Sequence, residues 1–269
     1  MMFVGSTFVN WTRRSGLLGL MALGWARSSA AGPGPVLRAL IESWPPYLEA
    51  DDNGTLRGLD AELFQAICKQ AGFELRWIRA SEEWRKRRYL EFLGDQFDVI
   101  FAATPVPDNA DAALYSLPYR DEVMMVAAPV PHDSSLDSLR GFEDLLRRRI
   151  RLLHVASYGL GKDFEAFRTR LRQAELLVPY STSRQGIEML RVGRAPLIIG
   201  DALDLRAQAR ISGLRLVQQA YGYSVSPVSL MLSRKRLGDE GLDRINQAIQ
   251  ALEQRGTLAA IRRRYGMPR

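Results

Sequence analysis

Apolar positions along this chain switch repeatedly between a spacing of two and a spacing of three to four, so short strands should alternate with amphipathic helices. The run Val36–Ile41 is short and apolar enough for a buried strand, and the breakers Pro33-Gly34-Pro35 ahead of it mark where the fold begins. Trp44-Pro45-Pro46-Tyr47 can join neither a ladder nor a helix, since its prolines lack donors; it reads as a loop carrying two exposed aromatics. Asp60 is placed to cap a helix that buries Leu63, Ile67 and Cys68 and stops at Gly72. A strand over 73–78, a basic amphipathic helix over 82–93 and a strand over 97–101 follow, which gives the order strand, helix, strand, helix, strand.

The last of these strands runs into residues 102–109, where an open α/β sheet carries its ligand loops. After a strand over 122–128 the alternation starts again at Ile150. It continues as strand to Val155, helix over 162–173, strand over 175–178, helix over 183–192, strand over 196–199 and helix over 202–210. One more apolar strand runs to Met231, and helices over 239–254 and 257–265 close the chain. Two α/β units of about a hundred residues each are implied, in a mostly parallel architecture.

Ahead of the fold, Arg13 and Arg14 precede an uncharged apolar stretch over 16–25 and the small residues Ser28-Ser29-Ala30. That is the pattern of a secretory signal over 1–30, cut near Ala30 or Ala31. Ten apolar residues reach only about 15 Å as a helix, half of what a membrane span needs. The paired arginines also half-match a twin-arginine signal. With no cysteine after the stretch, the mature protein is expected in the periplasm without a lipid anchor.

The formal charge is +7, but Arg13, Arg14 and Arg27 lie in the expected signal, and the remaining 34 basic against 30 acidic side chains give +4. The runs Arg85–Arg88, Arg147–Arg149 and Arg262–Arg264 each sit in a helical pattern and read as solvated faces, with no nucleic-acid partner implied. Cys68 is the only cysteine, which rules out an internal disulfide and a cysteine zinc site. No Gly-x-Ser-x-Gly, His-Glu-x-x-His or phosphate loop occurs, and Gly159-Leu-Gly161 lacks the third glycine of a dinucleotide site. No cofactor, metal or catalytic group is expected. His154, in a strand pattern, reads as a core histidine.

Five segments in order carry a resemblance: Trp44-Pro-Pro-Tyr47, Gly54-x3-Gly58-Leu-Asp60-x-Glu62-Leu63, Asp98-Val-Ile100, Tyr115-Ser-x-Pro-Tyr119 and Gly256-x4-Ile261-x3-Tyr265-Gly266. Together they resemble the extracellular solute-binding proteins of amino-acid ABC transporters, over nearly the whole chain from Val36 to Gly266. The resemblance implies the two-lobed α/β fold of type 2 periplasmic binding proteins. Lobe 1 would comprise 33–120 and 227–269, lobe 2 127–220, and the crossover strands 121–126 and 221–226. It further implies a monomer that closes by a hinge on a small polar solute and hands it to an inner-membrane permease.

By position in that family, Trp44 covers the ligand's side chain with Tyr47 as neighbour; both could equally pack beneath their loop. Thr104 would donate to a ligand carboxylate or merely cap a turn before Pro105. Ser157, Tyr158 and Gly159 would line the cleft. Asp201 would bind an ammonium, or serve only as a helix N-cap. Where the family's amino-acid binders carry an arginine that forks onto the α-carboxylate, this chain has Asn109, which cannot neutralise an anion. Arg120 and Arg184 could supply that charge, although each also reads as a surface residue. A cationic or neutral polar solute such as an amine therefore suits the chain better than an anion. The fold also resembles periplasmic cyclohexadienyl dehydratase, which would cast Glu165 as an acid in the cleft. A ligand-sensing partner of a membrane receptor is the third reading.

Overall fold

The computed structural model describes residues 35–41, 43–51, 53, 55–79, 84–105, 111–156 and 159–267. The expected signal over 1–30 and the site candidates Asn109, Ser157 and Tyr158 lie outside them. Among the described residues no helix is long and apolar enough to cross a membrane.

The first lobe begins with strand β1 (Val36–Ile41), the short pair β2 (Glu49–Ala50) and β3 (Leu56–Arg57), helix α1 (Leu59–Ala71), β4 (Glu74–Arg79), α2 (Trp84–Leu93), β5 (Val99–Ala103) and β6 (Ala113–Tyr115). The long strand β7 (Arg120–Val130) leads out of it. The second lobe holds α3 (Phe142–Arg148), β8 (Leu152–Val155), α4 (Lys162–Gln173), β9 (Leu177–Tyr180), α5 (Ser183–Arg191), β10 (Leu197–Asp201), α6 (Ala202–Ile211) and β11 (Arg215–Gln218). Strand β12 (Ser224–Ser233) returns the chain to α7 (Arg234–Gln254) and α8 (Thr257–Arg264).

Each lobe is built on a parallel triple, β4-β1-β5 in one and β9-β8-β10 in the other. Parallel strands need helical crossovers that cover both faces, which explains why β8 and the apolar part of β10 are buried throughout. The triples are joined through the two crossovers, which pair antiparallel with each other from Ser224 opposite Met124 to Val228 opposite Arg120. Beyond that shared stretch, β12 turns to β5 and β6 while β7 turns to β10 and β11, so one ladder runs through both lobes.

The α1 terminus departs from expectation in an instructive way. Asp60 is not the cap; it lies within the helix at 0% exposure, and the N-cap is Gly58. The free N–H groups of the first turn are met by the aromatic loop, because Leu59 N donates to the Pro46 carbonyl at 2.9 Å and Asp60 N to that of Tyr47 at 2.8 Å. The loop is thereby strapped to the end of the helix. Elsewhere α4 has the predicted bounds, α3 takes in Arg147 and Arg148 of the run expected to be helical, β6 and β11 were not foreseen, and α7 starts five residues early across a non-helical Gly238.

Candidate functional site

A cleft of about 1220 Å³ opens between the lobes. Trp44 and Thr104 line it from the first lobe, and Gly159, Thr182, Ser183 and Asp204 from the second. Its floor is made by the crossovers. Glu122 and Met124 on β7 alternate in period two, Ser226 and Ser224 stand directly opposite them on β12, and all four line the cleft.

Trp44 reaches across the cleft: its indole Nε1–H donates to Asp204 Oδ2 at 3.2 Å, and that same oxygen accepts from Ser183 Oγ at 2.6 Å. Behind it, Tyr47 is fully buried, its ring centroid 4.4 Å from that of Trp44. The Tyr47 hydroxyl donates to Asp201 Oδ2 at 2.7 Å. Asp201 is itself at 0% exposure and accepts from Asp204 N at 2.8 Å, which makes it the N-cap of α6. Of the two roles open for each, Tyr47 thus packs beneath its loop and Asp201 caps α6; they satisfy one another and are absent from the cleft lining. Burial raises the Asp201 carboxyl to about 6, against the pull of the Asp204 amide, the Tyr47 hydroxyl and Arg120.

Arg120, read from sequence as a surface residue, is 3% exposed. Its guanidinium forks onto Asp60, with Nε to Oδ1 at 2.6 Å and Nη2 to Oδ2 at 3.0 Å, and lies 4.2 Å from the Tyr47 ring centroid. The Tyr119 hydroxyl donates to Asp60 Oδ1 at 2.9 Å. Arg120 is therefore the structural partner of Asp60, and its donors are directed to protein groups. Arg184 does line the cleft. Glu165 is exposed and its carboxylate is taken up by Arg168 and the Leu160 amide.

Sequence reasoning did not single out Asp204, Ser183, Glu122 or Ser224. A signal existed for Asp60, which falls in register with Leu63, Phe64 and Ile67 on the buried side of α1, where an acid requires a partner. His154 is buried as expected, its Nδ1 3.0 Å from the Val155 carbonyl. Cys68 is buried, and its thiol is pushed well above the usual range by burial alone.

Tyr47→Phe removes the donor to a buried carboxylate and should cost about 1–3 kcal/mol of stability. Since the lost bond favours ionised Asp201, its removal raises that carboxyl further, so the loss should be largest at alkaline pH and fade as pH falls toward about 6. Thermal unfolding from pH 4.5 to 8 would check it; a loss independent of pH would assign the effect to packing instead.

Comparison with known proteins agrees with this architecture. L-cystine-binding protein TcyJ of Escherichia coli (strain K12) is 24% identical over 242 residues, covering 86% of this chain and 82% of the relative. Among solved structures, a histidine kinase sensor domain with similarity to periplasmic binding proteins superposes with a TM-score of 0.66 at 18% identity, covering 86% of this chain and 95% of the other. An ancestral arginine-binding protein bound to arginine superposes at 0.65 with 20% identity, covering 87% and 99%. The match to the family of bacterial extracellular solute-binding proteins, family 3, extends over residues 37–268 and takes in both lobes and both crossovers, so the chain belongs to that family.

Proposed function

We propose that this protein captures a small polar solute, amino-acid-like or an amine, by hinge closure in the periplasm and delivers it to the permease of an inner-membrane ABC transporter, without turning it over. The observation that carries this reading is a cleft lined from both lobes and floored by both crossovers. A volume of about 1220 Å³ exceeds the roughly 300–1,000 Å³ of an ordinary small-molecule site, which leaves room for the lobes to close further. Within the cleft, Trp44 would cover the solute's apolar part and Thr104 and Gly159 would offer hydrogen-bonding groups. Asn109, Ser157 and Tyr158 remain proposed contacts on the grounds of position in the family. Tyr47 and Asp201 would hold Trp44 and α6 in place.

The test is a thermal-shift screen of the purified protein against amino acids, amines and polyamines. A solute at a hundred times its dissociation constant should add about 2.7 kcal/mol, a rise in Tm of roughly 5–10 °C for a chain of this size. No shift with any solute would end the capture reading.

A further inference from the structure

We infer that the floor of the cleft is a cation subsite, in which Glu122 and Ser224 receive the ammonium or guanidinium group of an organic cation. The inference rests on the capture reading and makes it specific.

The two crossovers put both side chains on the cleft face. Glu122 and Ser224 are diagonal neighbours across the β7–β12 pair, with Met124 and Ser226 completing the square. Among the described residues, no hydrogen bond or ion pair engages the Glu122 carboxylate, whereas the buried acids around it are taken up. Asp60 is held by Arg120 and Tyr119, Asp201 by Tyr47 and the α6 amide, and Asp204 by Trp44 and Ser183. Ser224 Oγ is buried and likewise has no hydrogen-bond partner among the described residues. An acceptor-only carboxylate beside a free hydroxyl oxygen suits a group made of N–H donors. Trp44, Met124 and Met231 line the same cleft, so an alkyl stem or cationic face would meet aromatic and thioether surface.

The electrostatics agree with the geometry. Burial, the largest cause, and the Asp201 and Asp60 carboxylates raise Glu122 to about 7, while Arg120, on the same strand, opposes them. Arg88 and Arg184, on α2 and α5, also line the cleft, which gives a carboxylate elsewhere on the ligand a counter-charge. The ionised carboxylate is thus costly in the empty protein and is stabilised by an arriving cation. Cation binding should expel a proton from Glu122, and affinity should fall about tenfold from pH 8 to pH 6.

The experiment is calorimetric titration of the full-length mature protein with L-arginine, agmatine, putrescine, L-glutamine, L-glutamate and L-cystine at pH 6, 7 and 8. Running pH 6 in two buffers of different ionisation enthalpy reads proton release. Expected are a preference for the cations, release of close to one proton at pH 6, and a 10- to 100-fold loss of cation affinity in Glu122→Gln, with the pH dependence abolished. Ser224→Ala, a milder change, should weaken cations severalfold and keep the pH dependence. Glu122→Gln should also make the empty protein more heat-stable at pH 8, with the difference vanishing below about pH 4.5, since the raised carboxyl is a burden only once ionised. Cations that bind Glu122→Gln as tightly as wild type, or without proton release, would overturn the subsite. Binding of neutral or acidic solutes alone would overturn it while leaving capture intact, and binding of nothing would remove both.

Discussion

Asp60→Ala should destabilise the protein by about 3–5 kcal/mol, roughly 6–20 °C in Tm, because it strands a guanidinium that is wholly buried. The cost of breaking a buried pair is dominated by the partner left behind. Arg120 would keep a single hydrogen bond, to the Asp121 carbonyl at 3.1 Å, and its place near the Tyr47, Tyr119 and Trp44 rings. Tyr119 would lose its acceptor as well. The double variant Asp60→Leu/Arg120→Met, which removes both charges at similar volume, should recover most of the loss. Urea titration of the two variants would decide it: equal losses would mean that lost packing, not an orphaned charge, sets the cost. The pair also matters mechanically. It ties α1 to the first residue of β7, so its loss is expected to loosen the base of a crossover as well as the first lobe.

The same pair shows what the sequence could and could not disclose. Periodicity located α1 within a residue or two, but the reading of Asp60 as its cap passed over the spacing of 60, 63, 64 and 67, which puts the acid on the buried side. What the acid did there depended on a residue sixty positions away, and periodicity carries no information about such partners. A helix N-terminus next to an aspartate invites the capping reading, yet Gly58 and two loop carbonyls perform that task. For the site, order and spacing sufficed to bring Trp44, Thr104 and Gly159 to one cleft. They could not show that the Tyr47 hydroxyl meets Asp201, which withdraws both from the lining. Glu122 was hidden for a different reason. Beyond Glu122, β7 runs buried from Val123 to Ala128, so its alternation fades into a continuous apolar run. Which of its faces meets the cleft is set by how β12 returns, not by local pattern.

Gly58→Ala should be the costliest single methyl addition in the first lobe, at about 2–4 kcal/mol. Two independent effects add there. Gly58 holds φ 117° and ψ 165°, a region open essentially to glycine alone. A methyl group would also lie 2.5 Å from the Tyr47 carbonyl oxygen and 2.8 Å from that of Pro46, which are backbone atoms that cannot rotate aside. Those carbonyls are the acceptors for Leu59 N and Asp60 N, so relieving the clash means lifting the aromatic loop off α1 and releasing its cap. Gly213→Ala supplies the control, since Gly213 has φ 68° and nothing within 4 Å of an added methyl, and only the conformational cost of about 1 kcal/mol applies. If thermal unfolding shows equal losses for the two variants, the strap between loop and helix has no energetic weight. If Gly58→Ala loses more, its solute affinity should fall too, because Trp44 sits on the displaced loop and would no longer reach Asp204 across the cleft.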